Sequence, residues 1–158
     1  MSIQAIETVY NDYKFRSRLE ARWAVVFDAL NLNWEYEPEG FILPDGTWYL
    51  PDFYLRDAEW FVEVKADRPL SDEERNKVHQ LDDMVMDDGD YPSLGCLVTP
   101  KLELMRLDPH TDDFYEDSQR QKLFFQRIMP LNKNWNYGVA NRAILKGKQA
   151  RFEHGERG

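Results

Sequence analysis

The apolar residues of this chain change period at Asn31, and that change limits the folds open to it. From about Lys14 to Leu30, residues Phe15, Leu19, Trp23, Val26, Phe27 and Leu30 recur at helical spacing and make one apolar face. Beyond Asn31 come short stretches rich in aromatic and β-branched residues, at 34–37, 40–43, 47–55 and 60–66, with Pro44-Asp45-Gly46 as turn chemistry between two of them. They read as an antiparallel meander. Helical spacing then returns: Ser71-x-x-Glu74 is a capping-box signature, and Val78, Leu81, Met84 and Val85 form one stripe that ends before Gly89. Residues 94–99, bounded by Pro92 and Pro100, are a continuous apolar run, the pattern of a strand buried on both faces. Residues 116–129 and 139–152 read as two further helices, separated by Pro130 and a polar stretch. The expected class is α/β, in the order helix, strands, helix, strand, with a C-terminal helical extension.

A length of 158 residues suits one domain with a real hydrophobic core, and neither a repeat nor a low-complexity linker divides it. Apolar runs such as Ala24-Val25-Val26-Phe27, which Trp23 extends by one residue, are far too short to span a bilayer. Met1 to Ala5 carries no basic segment followed by an apolar one, so a cytoplasmic protein is expected. The single Cys96 sits in an apolar run, where an inert buried thiol is the expectation. With that and only His79, His110 and His154, the ligands for a zinc cluster are missing, so any metal must be held by oxygen. The net charge is -9, yet Lys+Arg against Asp+Glu runs 6 to 12 over residues 1–66, 5 to 15 over 67–118 and 9 to 2 over 119–158. Residues 1–118 are therefore read as an acidic core and 119–158 as a basic, helical extension packed on the same domain.

Chemistry concentrates where two strands flank Arg56-Asp57-Ala58-Glu59. With Asp57 and Ala58 as the central turn residues, positions whose numbers sum to 115 lie opposite each other, so Asp52 faces Glu63. Opposed residues project from the same face with Cβ atoms roughly 4.5–5.5 Å apart, and Lys65 shares that face because side chains alternate. A turn one residue longer or shorter shifts this register, although a diagonal pairing still leaves the groups within reach. Two facing carboxylates repel unless a cation lies between them, and Mg²⁺ is the natural one, since it takes oxygen ligands and needs only one or two protein carboxylates. Such an ion polarises a phosphate oxygen and acidifies water, while an ammonium beside it stabilises developing negative charge. The bland alternative is a half-exposed strand with a Glu and a Lys in solvent. A chain of this length shows about one acid-x-Lys match by chance, and Asp12-Tyr13-Lys14 is another.

Pro51-Asp52, Glu63-Val64-Lys65 and an upstream Glu20 on its own helix resemble the PD-(D/E)xK nuclease superfamily. Within it, the stretch from Tyr36-Glu37-Pro38-Glu39-Gly40-Phe41 through Tyr49-Leu50-Pro51-Asp52-Phe53 to Lys65 is similar to the endonuclease subunit of heteromeric transposases and to small phage-type endonucleases. The resemblance spans roughly residues 14–100 and implies a restriction-endonuclease-like core of helix, antiparallel three-stranded meander, helix and strand. It further implies that Asp52, Glu63 and the Val64 carbonyl ligate Mg²⁺, for which Mn²⁺ substitutes, that Lys65 positions the attacking water, and that Glu20 completes the acidic cluster. The plainer role for Glu20 is an ion pair with Arg16 one turn away, and for Gln80, where the family carries a polar residue facing the site, a glutamine in solvent.

The implied activity is hydrolysis of DNA by a metal-activated water, with a dimer or partner subunit needed for double-strand cutting. Arg16, Arg18, Arg22, Lys122, Arg127, Lys133, Arg142, Lys146 and Lys148 are candidate phosphate contacts, although cations that merely neutralise the acidic core are an equal reading. Asp82, Asp83, Asp87, Asp88 and Asp90 lack calcium-loop spacing and read as a solvated face. The rival class is a catalytically silent nuclease-fold interaction module, or nucleic-acid mimic, that binds a protein; a third reading with the same metal chemistry is an RNA-directed or structure-specific nuclease.

Overall fold

The computed structural model describes residues 6–57, 60–65, 71–86, 94–98, 104–107, 114–115 and 137–152. The first element is not the expected helix but a hairpin, β1 (Thr8–Tyr10) and β2 (Tyr13–Phe15), paired with Tyr10 opposite Tyr13. Asn11 and Asp12 between them both have positive φ, 50° and 65°. These are the residue types that tolerate the left-handed region a two-residue type I′ turn requires. Phe15, whose spacing fits the helix, belongs to β2 and is completely buried. Helix α1 (Arg18–Ala29) starts later because Ser17 caps it: its hydroxyl accepts from the Glu20 amide at 3.2 Å and donates to Glu20 Oε1 at 2.7 Å. At the far end Asn31 (φ 54°) takes the left-handed position, while the Asn31 and Leu32 amides donate to the Asp28 and Phe27 carbonyls.

A six-stranded sheet follows, in the order β10–β9–β8–β7–β6–β3. Its strands are β3 (Trp34–Tyr36), β6 (Phe53–Leu55), β7 (Trp60–Val64), β8 (Leu94–Val98), β9 (Leu104–Leu107) and β10 (Phe114–Tyr115). β3, β6 and β7 are mutually antiparallel neighbours; β7 and β8 are parallel, with α2 (Asp72–Met86) lying between them in the chain. The expected strand at 47–55 divides in two. β4 (Phe41–Ile42) and β5 (Trp48–Tyr49) form a separate ribbon, and β6 begins only after Pro51, which has no amide hydrogen to offer a ladder. The meander of the main sheet therefore omits the ribbon inserted between its first and second strands.

α2 has the expected cap: the Ser71 amide donates to Glu74 Oε2 at 2.9 Å and the Glu74 amide to Ser71 Oγ at 3.2 Å. The last described helix, α3 (Tyr137–Gln149), begins two residues before the expected 139 and packs on α1. The expected helix at 116–129 lies outside the described residues. Among the described residues no helix is long and apolar enough to cross a membrane.

All five residues of β7 are buried because the sheet is covered on both faces. Trp60, Val62 and Val64 join Trp23, Phe27, Phe53 and Ala143 on the α1 and α3 side. Phe61, on the opposite face, packs with Leu43, Tyr49, Val78 and Leu81 beneath α2 and the β4–β5 ribbon. Phe53 sits at the centre of the aromatic packing, with the rings of Phe27, Tyr36, Trp34 and Phe15 at 5.2, 5.4, 5.7 and 6.0 Å.

Candidate active site

The β6–β7 pairing has Phe53 opposite Val62, Tyr54 opposite Phe61 and Leu55 opposite Trp60, so paired numbers sum to 115. Continued by one residue, this register sets Asp52 against Glu63 on the face of the sheet beneath α2 and the ribbon. Neither is the solvent-facing carboxylate of a half-exposed strand, for they are 3% and 5% exposed. The competing Asp12-Tyr13-Lys14 match behaves as a chance motif: Asp12 is a turn residue, and Lys14 pairs with Glu7 in solvent.

Asp52 Oδ2 accepts from the Val64 amide at 2.6 Å, which is how Val64 enters the site. Oδ1 accepts from Arg16 Nη2 at 2.5 Å. Arg16 also pairs through Nε with Glu37 at 2.8 Å. Glu37 in turn donates its amide to the Asp52 carbonyl at 2.8 Å from a left-handed conformation (φ 47°) that costs a non-glycine residue about 1–2 kcal/mol. Burial, followed by the charges of Glu63 and Glu20, pushes the Asp52 carboxyl well above the usual carboxylate range, and the Val64 amide and Arg16 offset only part of this.

Glu63 Oε1 pairs with the Lys65 ammonium at 2.7 Å, and Lys65 lies 3.6 Å from Glu74 Oε1 at the first turn of α2. Burial works against the charged lysine, but Glu63, then Asp52 and Glu74, outweigh it, so its pKa is raised above the ordinary value. Lys65 is a resident cation, not a proton acceptor, at neutral pH. Glu63 Oε2 is buried without a hydrogen-bond partner. So is the hydroxyl of Tyr49, which is near Glu63 but outside hydrogen-bond geometry; burial first and the Glu63 charge second push that phenol well above its usual value.

Glu20 is 7% exposed and tied to its own neighbourhood. Its Oε2 accepts from the Tyr36 hydroxyl at 2.6 Å and the Arg16 amide at 3.1 Å. Glu20 thus meets Arg16 through the main chain, while the guanidinium that the i,i+4 spacing assigns to it goes to Asp52 and Glu37. Gln80 does not face the carboxylates either. It accepts from the Asp45 amide at 2.9 Å and donates to the Asp45 carboxylate at 2.8 Å, fastening α2 to the ribbon turn.

Glu63 and Lys65 open into a cleft of about 520 Å³ whose walls include Arg16, Trp48, Ser71, Glu74 and Lys77. Among the described residues no group of three or more His, Cys, Asp or Glu side chains converges tightly enough to hold a metal unaided. The donor set nevertheless fits a hard divalent ion that keeps most of its waters: two neighbouring buried carboxylates, one with an orphaned oxygen and the other desolvated against its charge.

The candidate phosphate contacts fall into separate places. Arg16 pairs with Asp52 and Glu37 while its side chain stays 57% exposed at the wall of the first cleft. Arg18, Arg22 and Lys148 line a second cleft of about 320 Å³ between the start of α1 and the end of α3, together with Arg151. Arg142 and Lys146 are exposed on α3, whereas Lys122, Arg127 and Lys133 lie outside the described residues. Of the acidic run, Asp83 is exposed; Asp87, Asp88, Asp90 and the Asp82 side chain lie outside the description.

Sequence reasoning placed Tyr36, Glu37 and Tyr49 in the family-like stretch but assigned no role in the site to them or to Trp48. Ser17-x-x-Glu20 repeats the Ser71-x-x-Glu74 signature, so the start of α1 was available to it. No family model, curated protein or solved structure matches the chain.

Proposed function

We propose that the chain is a Mg²⁺-dependent DNA endonuclease of the PD-(D/E)xK type, with a restriction-endonuclease-like core made of α1, β3–β6–β7, α2 and β8. The observation that carries this reading is the burial of Asp52, just ahead of β6, beside Glu63 of β7, with one Glu63 oxygen unpartnered and the Lys65 ammonium on the other. Burying two like charges together costs stability that a purely structural role does not recover.

In this reading Asp52, Glu63 and the Val64 carbonyl hold Mg²⁺ or Mn²⁺, with Glu20 adding negative charge from α1. When bound, the ion supplies Lewis acidity to a phosphate oxygen and lowers the pKa of water. Lys65, kept protonated by Glu63 and Glu74, donates hydrogen bonds that orient the attacking water and stabilise the negative charge growing on the phosphoryl oxygens. Arg16 balances Asp52 and its half-exposed guanidinium is placed to meet a phosphate at the cleft mouth. The Arg18, Arg22, Lys148 and Arg151 cleft supplies a second patch for backbone phosphates, which an otherwise acidic molecule needs in order to bind a polyanion. Cutting both strands of a duplex takes two such sites, from a dimer or a partner subunit.

One observation favours the rival interaction module: both Asp52 oxygens and both Glu20 oxygens already accept hydrogen bonds from the protein, as in a structural charge cluster. Comparing wild type with Lys65→Ala and Asp52→Asn on supercoiled, linear and single-stranded DNA, in Mg²⁺ and in chelator, separates the two. The nuclease reading expects metal-dependent cutting by wild type and a loss of at least about 100-fold in either variant. Activity that survives either substitution, or wild type that cuts nothing, removes the proposed site.

A further inference from the structure

β5 is only two residues long, and its pleat sends them to opposite sides. Tyr49 turns inward against Glu63 and is 7% exposed, whereas Trp48 turns outward and is 60% exposed. An indole with that much surface in water is unusual, because a tryptophan normally buries most of its area. Its position is not accidental. A Cβ at Gly40 would stand 1.9 Å from Trp48 Cζ2 and 2.3 Å from Cη2, so the six-membered ring rests directly on Gly40 and any larger residue there displaces it. The ring is held in place on one side and open on the other, and it forms part of the wall of the cleft into which Glu63 and Lys65 open.

We infer that Trp48 is a stacking platform for an unpaired nucleobase, in the same cleft as the phosphate that the Asp52–Glu63 pair acts on. The inference rests on the nuclease reading and narrows its substrate. Trp48 lines the same cleft as Glu63 and Lys65, so a base on the indole and a phosphate at the carboxylates belong to one bound strand. The other walls of the cleft, Arg16, Ser71, Glu73, Glu74 and Lys77 among them, are polar and charged, and a greasy protein side chain placed there would cover ion pairs. A base offers a π face to the indole, polar edges to the remaining walls and a phosphate to Arg16. A base inside a duplex has both faces covered by its neighbours, so the platform serves a single strand, a frayed end or a branch. The preferred substrate is DNA unpaired at the cleavage position.

The test uses the full chain in Ca²⁺, an oxygen-seeking ion, with labelled single-stranded and blunt duplex oligonucleotides followed by polarisation, and intrinsic fluorescence read in parallel. Wild type binds the single strand more tightly than the duplex, with partial quenching of its emission. Trp48→Ala weakens single-strand binding by between about five- and a hundredfold, the range of one lost base stack, and duplex binding much less. Trp48→Phe keeps a π face and most of the affinity but loses the quench, which protects the test against an alanine variant that merely loosens the ribbon. If wild type binds and cuts DNA while Trp48→Ala binds the single strand as wild type does, the stacking site is overturned and the nuclease reading stands. A wild type that binds neither oligonucleotide overturns both. Unchanged oligonucleotide affinity together with an altered sedimentation coefficient in Trp48→Ala assigns the indole to a protein contact and also overturns the stacking site.

Discussion

Asp52→Asn is expected to make the metal-free protein more stable and the metal-loaded protein less stable than wild type, a crossing of sign that few structural carboxylates produce. The Asp52 carboxylate is disfavoured first by burial and then by Glu63, and two charges about 5 Å apart at an effective dielectric of about 20 repel by about 3 kcal/mol. Removing the Asp52 charge relieves this. It also forfeits the ion pair with Arg16, worth about 1 kcal/mol at most because that side chain is 57% exposed. It weakens the bond from the Val64 amide by about 1 kcal/mol as well, the difference between a charged and a neutral acceptor. About 1 kcal/mol of stabilisation remains, a rise in Tm of about 2–4 °C for a chain of this size. Mg²⁺ at about 100 times its Kd adds about 2.7 kcal/mol to wild type and little to the variant, which reverses the order. Thermal melts followed by circular dichroism in chelator and in Mg²⁺ measure both. pH supplies an internal control. Asp52 has a folded-state pKa above its unfolded one, so its contribution is present below the unfolded pKa and is lost as pH rises through the folded one. The advantage of the variant in chelator therefore shrinks as pH falls to the ordinary carboxylate range. A variant less stable than wild type in chelator, with neither protein responding to Mg²⁺, refutes the reasoning and makes Asp52 a structural partner of Arg16.

The remaining predictions concern the frame around the site. Phe53→Ala, emptying a completely buried position among four aromatic rings, should cost about 3–5 kcal/mol in urea denaturation, and a loss under 1 kcal/mol contradicts its central place in the core. Ser71→Ala removes the α2 cap and should cost about 1 kcal/mol, with faster amide exchange confined to the first turn of that helix. Gly40→Ala forces the Trp48 ring off its seat, so tryptophan emission should change while the melting temperature moves by only a few degrees; an unchanged spectrum means that the indole is not held there.

How much of this was legible in the sequence depends on the distance over which each interaction acts. The capping box of α2, the β6–β7 register and the apolar run of β8 are local patterns, and each was readable as one. The start of α1 was misplaced because Phe15 satisfies helical spacing by coincidence: its burial comes from β2, whose type I′ turn at Asn11-Asp12 offers a weaker signal than a run of six apolar matches. The strand expected at 47–55 was broken by Pro51, and its first half was recruited to a different sheet.

The pairing of Asp52 with Glu63, and Lys65 on the same face, follows from alternation and a short turn, so the sequence alone was enough to place those three together. It was silent on their burial, because that depends on α2 and the β4–β5 ribbon covering the face of the sheet. Nor did it show that the Arg16 guanidinium would leave Glu20 for Asp52, or that Tyr36 of β3 and Tyr49 of β5 would be brought beside the acidic residues, with Trp48 on the cleft wall. Those contacts join positions far apart in the chain, and only tertiary packing brings such residues into a shared, low-dielectric space where charge and exposure acquire chemical meaning.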